Sequence, residues 1–122
     1  MDSRKSILVV EDDPDSQYLM QIILEDMHFN FTIAATGKDA IDNIQKKQFD
    51  LVLMDLRLPD ISGYDVTRII RQELKKNIPI FAVTAHAAQS VSLKCYDLGM
   101  NEFIPKPVDI EKLKLIINTY LG

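Results

Sequence analysis

Glu11, Asp12, Asp55, Thr84 and Lys106 are the residues of this sequence whose types and placement can do chemistry together. "ILVVEDDP" sets two carboxylates directly after a β-branched apolar run, and "LVLMDLRLP" sets a third, Asp55, after another. "FAVTAHA" breaks its apolar run at Thr84, and "EFIPKPVDI" pins Lys106 between Pro105 and Pro107. Carboxylates brought together repel, and a hard divalent cation relieves that repulsion. A site with few carboxylates, with room left for water and phosphate oxygens, suits Mg²⁺ better than Ca²⁺. A threonine hydroxyl can donate to an anionic oxygen, and an ammonium supplies a point charge. An aspartate nucleophile, a metal, a hydroxyl donor and a lysine are the equipment for phosphoryl transfer to a carboxylate. Each stretch alone reads as a solvated acidic loop, a strand threonine or a surface lysine. Their meaning depends on whether the fold brings them together.

The elements that position them alternate. "SILVV" (6–10) is a short run suited to a strand buried on both faces. Asp13 follows as an N-cap with Pro14 at the first helical position, and "QYLMQIILEDM" predicts a helix with an apolar stripe through Tyr18, Leu19, Ile22 and Ile23. "FNFTIAA" is a second strand, and "TGKDAIDNIQKKQ" a helix with Ala40, Ile41 and Ile44 inward. "FDLVLMD" is the third strand, ending at Asp55. The turn "RLPDISG" leads into a helix through "YDVTRIIRQEL" with Val66, Ile69, Ile70 and Leu74 on one face. "IPIFAVTA" is the fourth strand, and a helix from about Ala87 to Leu98 closes at Gly99. "EFIP" is the last strand. In the final helix, "DIEKLKLIINTYLG", Ile110, Leu113, Ile117 and Tyr120 are expected to face the core.

Strict alternation implies right-handed crossovers and a doubly wound α/β fold, a five-stranded parallel sheet with helices on both faces. In such sheets ligands bind beyond the carboxyl ends of the strands. For the order 2-1-3-4-5 the binding point lies between strands one and three, where Glu11, Asp12 and Asp55 end their runs.

Composition narrows the function classes. The 122 residues fit a single domain, and 47% hydrophobic with 26% charged residues is the balance of a globular chain. A net charge of -4 disfavours a cationic nucleic-acid surface, so no direct contact with nucleic acid is expected. A lone cysteine, Cys95, excludes an internal disulfide, and it and His28 are read as structural. No apolar run approaches the ~18 residues of a membrane span, and no signal-peptide pattern precedes "SRKSILVV", which points to the cytoplasm.

Together, "ILVVEDDP", "LVLMDLRLPDISG", "FAVTAHA" and "FIPKP" resemble the signature stretches of the receiver domain of two-component response regulators, over nearly the whole chain. The resemblance implies a flavodoxin-like (βα)5 fold and Asp55 as phosphoacceptor. It implies Mg²⁺ held by Asp12, Asp55 and the backbone carbonyl of Arg57, with Glu11 acting through bound water. It further implies that Thr84 and Lys106 contact the phosphoryl oxygens and that the Lys106–Pro107 bond is cis. The implied donor is a phosphohistidine on a sensor histidine kinase or phosphotransfer protein. The implied output is a downstream protein effector met on the face of the fourth helix, last strand and last helix. The chain catalyses only its own phosphorylation and dephosphorylation, as a monomer or a phosphorylation-dependent dimer. Phe103 occupies the aromatic switch position, where tyrosine is frequent, so a hydroxyl-mediated signal is absent. Arg57 and His86, two residues beyond Asp55 and Thr84, border the phosphoryl group and tune water access to it. No stretch resembles a DNA-binding or enzymatic output segment, as expected of a stand-alone regulator or of a receiver cut from a hybrid kinase or larger regulator.

Rival classes fit less well. An aspartate-nucleophile phosphatase of the haloacid dehalogenase type needs an acid where Arg57 stands. An FMN carrier needs a first loop that cradles phosphate, which "EDDPDS" repels, and no G-x-x-x-x-G-K-[ST] loop is present. The alternative is a receiver-fold interaction module that no longer depends on phosphorylation.

Overall fold

The computed structural model describes residues 3–86 and 88–122. Its strands are β1 (Ser6–Val10), β2 (Asn30–Ala34), β3 (Leu51–Met54), β4 (Ile80–Thr84) and β5 (Glu102–Pro105). They form one parallel sheet in the order β2-β1-β3-β4-β5. The helices are α1 (Pro14–Asp26), α2 (Gly37–Lys46), α3 (Gly63–Arg68, continued by a π-helical turn over Ile69–Glu73), α4 (Gln89–Asp97) and α5 (Ile110–Leu121).

Alternation of side chains along each buried strand divides the core in two. Leu8, Val10, Val52, Met54, Ile80 and Ala82 face α2, α3 and α4, where Ala40, Ile44, Val66, Ile70 and Cys95 close the layer. Ile7, Val9, Leu51, Leu53, Phe81, Val83 and Ile104 face α1 and α5, against Met20, Ile23, Leu24, Leu113 and Ile117. The continuous apolar runs of β1, β3 and β4 are thus explained by burial on both faces.

Caps set the helix ends. Asp13 accepts from the Ser16 amide at 2.9 Å with Pro14 opening α1, and Thr36, Ser62 and Asp109 cap α2, α3 and α5 in the same way. α4 ends in a Schellman motif. Gly99, at φ 99°, donates to the Tyr96 carbonyl, and the Met100 amide donates to that of Cys95, both at 3.0 Å. α1 ends likewise, with His28 in the left-handed position at φ 62° and the Phe29 amide donating to the Leu24 carbonyl.

Three details differ from the sequence reading. In α1 the buried stripe runs through Met20, Ile23 and Leu24, while Tyr18 and Ile22 are exposed. The segment carries apolar residues on two adjacent faces, and packing on the sheet selects one of them. In α5, Leu113 and Ile117 are buried, but Ile110 and Tyr120 are exposed at the two ends of the helix. Tyr120 lays its ring edge-to-face on Phe81 and gives its hydroxyl hydrogen to Glu102 at 2.7 Å. After Arg68 the π turn, in which the Leu74 amide donates to the Ile69 carbonyl, inserts a residue into the helical phase. Val66 and Ile70, four apart on one face, reach the core, while Ile69 stays half-buried. The helix of α4 begins at Gln89, and Ala87, its expected start, lies outside the described residues.

Candidate functional site

Glu11, Asp55 and Lys106 each sit one step beyond the sheet, the backbone fixed by a last ladder bond, while Thr84 is the last residue of β4 and Asp12 follows Glu11. The Glu11 amide donates to the Ala34 carbonyl at 2.9 Å, Asp55 to Val10 at 3.0 Å, and Lys106 to Thr84 at 2.8 Å. The three amides extend the β1–β2, β1–β3 and β4–β5 pairings into the crevice, so the positions of the side chains follow from strand register.

The side chains of Glu11, Asp55 and Lys106 converge there, and Thr84 ends the strand between β3 and β5. Lys106 Nζ lies 2.5 Å from Glu11 Oε1, 3.2 Å from Asp55 Oδ2 and 3.3 Å from Ser16 Oγ. Glu11 and Asp55 are 4% and 8% exposed, and Thr84 is 1% exposed, whereas Asp12 faces solvent. Burial pushes the Glu11 carboxyl up to about 7; the Lys106 ammonium opposes the shift, and Asp55 adds to it. For Lys106 burial favours the neutral amine, yet the contacts with Glu11 and Asp55 outweigh it and hold the ammonium above its ordinary range. The Arg57 amide donates to Asp55 Oδ1 at 3.1 Å, and the His86 amide to Thr84 Oγ1 at 3.3 Å. Arg57 is exposed and His86 half-buried, and with Leu56, Tyr64 and Val91 they line a cavity of about 230 Å³. Phe103 lies half-buried in β5, packed against the α2–α4 core layer, and the Lys106–Pro107 bond is cis.

Glu11, Asp12 and Asp55 bring one carboxylate oxygen each within 4.8 Å of the others. The donors are hard oxygens, and ligands at about 2.1 Å from Mg²⁺ fill such a span with slight closure or through one bound water. The cluster therefore fits a metal, with the Asp12 side open to water and substrate.

The match to known proteins is decisive at this point. The model of the response regulator receiver domain matches residues 7–118. The chain belongs to the response regulator receiver family. It is 34% identical, over 98% of its length, to the response regulator protein PilR of Pseudomonas aeruginosa, and 35% identical, over 96%, to hybrid signal transduction histidine kinase I of Dictyostelium discoideum. These matches span only 26% and 7% of those relatives. Among solved structures, the CheY-like receiver protein of Methanospirillum hungatei superposes with a TM-score of 0.90 at 30% identity, covering 98% of this chain and 94% of that one. The receiver domain of sensor histidine kinase PA1611 from Pseudomonas aeruginosa superposes at 0.88 with 36% identity, covering 98% and 99%, and holds magnesium in its active-site cleft. Among the described residues of this receiver, no helix is long and apolar enough to cross a membrane.

Several contributors to the receiver's site escaped the sequence reading. Gly63 opens α3, where a Cβ would stand 2.2 Å from the Asp55 carbonyl oxygen, and its amide donates to the Leu56 carbonyl at 2.9 Å. A glycine at the first position of a helix is the signal, because that position needs no special backbone freedom and so points to a close approach. Asp13 and Gln17 hold Glu11, the first through its amide to Glu11 Oε2 at 3.2 Å and the second through its side chain to the Glu11 carbonyl at 2.7 Å. Ser16 adds a hydroxyl beside Lys106. No local pattern marks these three, since they meet the site only through the turn from β1 into α1.

Proposed function

We propose that the protein is a phosphoacceptor switch, in which Asp55 takes a phosphoryl group from a phosphohistidine of a sensor histidine kinase or phosphotransfer protein and a downstream protein effector reads the change. The observation that carries this is the ion-paired cluster at the strand ends: one ammonium held between two buried carboxylates, with a third carboxylate at the open side. Asp12, Asp55 and the Arg57 carbonyl would hold Mg²⁺, with Glu11 joined through water. That ion would neutralise charge on the phosphoryl oxygens as they approach. The protein's own groups do the rest. The Arg57 amide on Oδ1 and the Lys106 ammonium on Oδ2 together orient the Asp55 carboxylate. Attack on the donor's phosphorus breaks the phosphorus–nitrogen bond and forms an aspartyl phosphate. Lys106 exchanges its Asp55 contact for a phosphoryl oxygen, and the Thr84 hydroxyl donates to another.

The modification adds close to two negative charges. Charge-assisted hydrogen bonds contribute about 1.5–3 kcal/mol each, and reversing a 1:99 equilibrium takes about 5.5 kcal/mol, so two or three new contacts suffice. Thr84 and the half-buried Phe103 are the proposed switch, and α4, β5 and α5 the output face. Arg57 and His86, which flank the same small cavity, are the proposed gates for water. A shelf of about 460 Å³ beside Lys106, walled by Leu19, Met20, Pro107 and Val108, gives the donor an apolar approach.

Incubation with a small acyl phosphate and Mg²⁺ should label the wild type, and Asp55→Asn should lose nearly all label by mass spectrometry. Equal labelling would remove Asp55 from the reaction.

A further inference from the structure

We propose that Asp60 is a positioning residue for the reaction: its carboxylate, together with Ile61, fastens the loop between Asp55 and Gly63 to the first turn of α2. The inference rests on the phosphoacceptor reading and extends it to a side chain that touches no reacting atom.

A helix leaves its first amides without intrahelical partners. In α2 the Asp39 amide donates to the helix's own cap, Thr36 Oγ1, at 3.0 Å. The two amides before it are answered from another part of the chain. Gly37 donates to Asp60 Oδ1 at 2.8 Å and Lys38 to Asp60 Oδ2 at 2.9 Å, so both carboxylate oxygens are engaged. These bonds hold the Asp60 carboxyl below its usual range, the Lys38 amide contributing most. Apolar contact completes the clamp. A Cβ on Gly37 would stand 2.4 Å from Ile61 Cγ1, so the α2 backbone lies directly on that side chain, which itself packs into the core.

The loop is thus fixed in its middle to α2 and at its end by Gly63 against the backbone of Asp55 and Leu56. The Arg57 peptide runs between the Asp55–Leu56 backbone, on which Gly63 packs, and the Asp60 anchor. Its amide orients Asp55 and its carbonyl is the proposed metal ligand. Without the Asp60 carboxylate the peptide loses its lateral anchor while every group that contacts metal or phosphate remains. Partners hydrogen-bonded to ligating groups typically change metal affinity 10–100-fold when removed, and Asp60, one step further back, is set at the lower end of that range.

An ordinary helix cap would give the same hydrogen bonds, so the test needs a cap control. Thr36→Ala removes one bond from the same turn of α2 without releasing the loop. Asp60→Ala, Asp60→Asn and Thr36→Ala should all lower the thermal midpoint. Only the Asp60 variants should speed amide exchange at Arg57–Ile61 in the metal-free protein, weaken Mg²⁺ binding by roughly tenfold in calorimetric titration, and slow labelling by acetyl phosphate. Asp60→Asn, which keeps one acceptor oxygen, should fall between wild type and Asp60→Ala, and it carries the comparison should the alanine variant not fold. Mg²⁺ binding and loop exchange unchanged in the Asp60 variants, or altered equally in Thr36→Ala, overturn the proposal. A wild type that neither binds Mg²⁺ nor takes label overturns the phosphoacceptor reading and this inference with it, whereas a competent wild type with indifferent Asp60 variants overturns the inference alone.

Discussion

Lys106 shows how one side chain is made to serve several partners. Its flanking prolines restrict the backbone, its amide is fixed on Thr84, and its ammonium lies between Glu11 and Asp55. At the other end of β5, Tyr120 uses a neutral donor on Glu102. Its hydrogen bond to Glu102, with burial second, raises the phenol to about 12. Because the folded value exceeds the unfolded one of about 10, this contribution is fully present below pH 10 and is lost as pH rises through about 12. Burial raises Tyr64 as well, so ultraviolet titration should show Tyr120 ionising last, and Glu102→Gln should move it back towards its ordinary range. An unchanged late titration in Glu102→Gln would assign the shift to burial instead.

Among the elements, α4 is held unequally at its two ends. Its C-terminus has the Schellman motif, and Arg71 donates from the π turn through Nε and Nη2 to the Gly99 carbonyl at 3.0 and 2.8 Å. Lys94 sits 4.2 Å above the Tyr64 ring, tying the helix to α3. The N-terminus has Ala88 at the cap position, in extended backbone and with no side-chain hydrogen bond. Ala88→Ser should therefore stabilise the protein by about 0.5–2 kcal/mol, read from the urea midpoint at constant slope. If α4's first turn is part of the switch, the same change should also shift the response to phosphorylation, since a capped turn is harder to rearrange. No gain in midpoint would show that the first turn already has its amides satisfied elsewhere.

Across the whole molecule, the sheet separates two apolar layers that must both be filled for the crevice to exist. Phe81 lies at the centre of the α1–α5 layer, fully buried and touching Tyr120. Phe81→Ala should cost about 3–5 kcal/mol, a large share of the 5–15 kcal/mol typical of a domain. Chemical denaturation checks this, and a loss below about 1 kcal/mol would mean that the layer collapses to fill the gap. Since β4 places Thr84 as well as Phe81, labelling of Asp55 should fall with the native fraction.

The alternation of strands and helices, the position of five polar residues near strand ends and the ends of β1 and β5 were legible in the sequence, because buried parallel strands read as unbroken apolar runs and their ends as sudden polarity. The active face of α1 was not legible, since Tyr18 and Ile22 compete with Met20 and Leu24 on hydropathy and only contact with the sheet separates them. Gly63 beneath Asp55, Asp60 on α2 and the π turn after Arg68 were equally hidden, being matters of close approach between segments distant in the chain or of helical phase. Sequence by itself determined which polar groups stand near the strand ends, because a buried strand ends where polarity begins. Tertiary structure decided how firmly each is held, because that depends on which backbone packs against which.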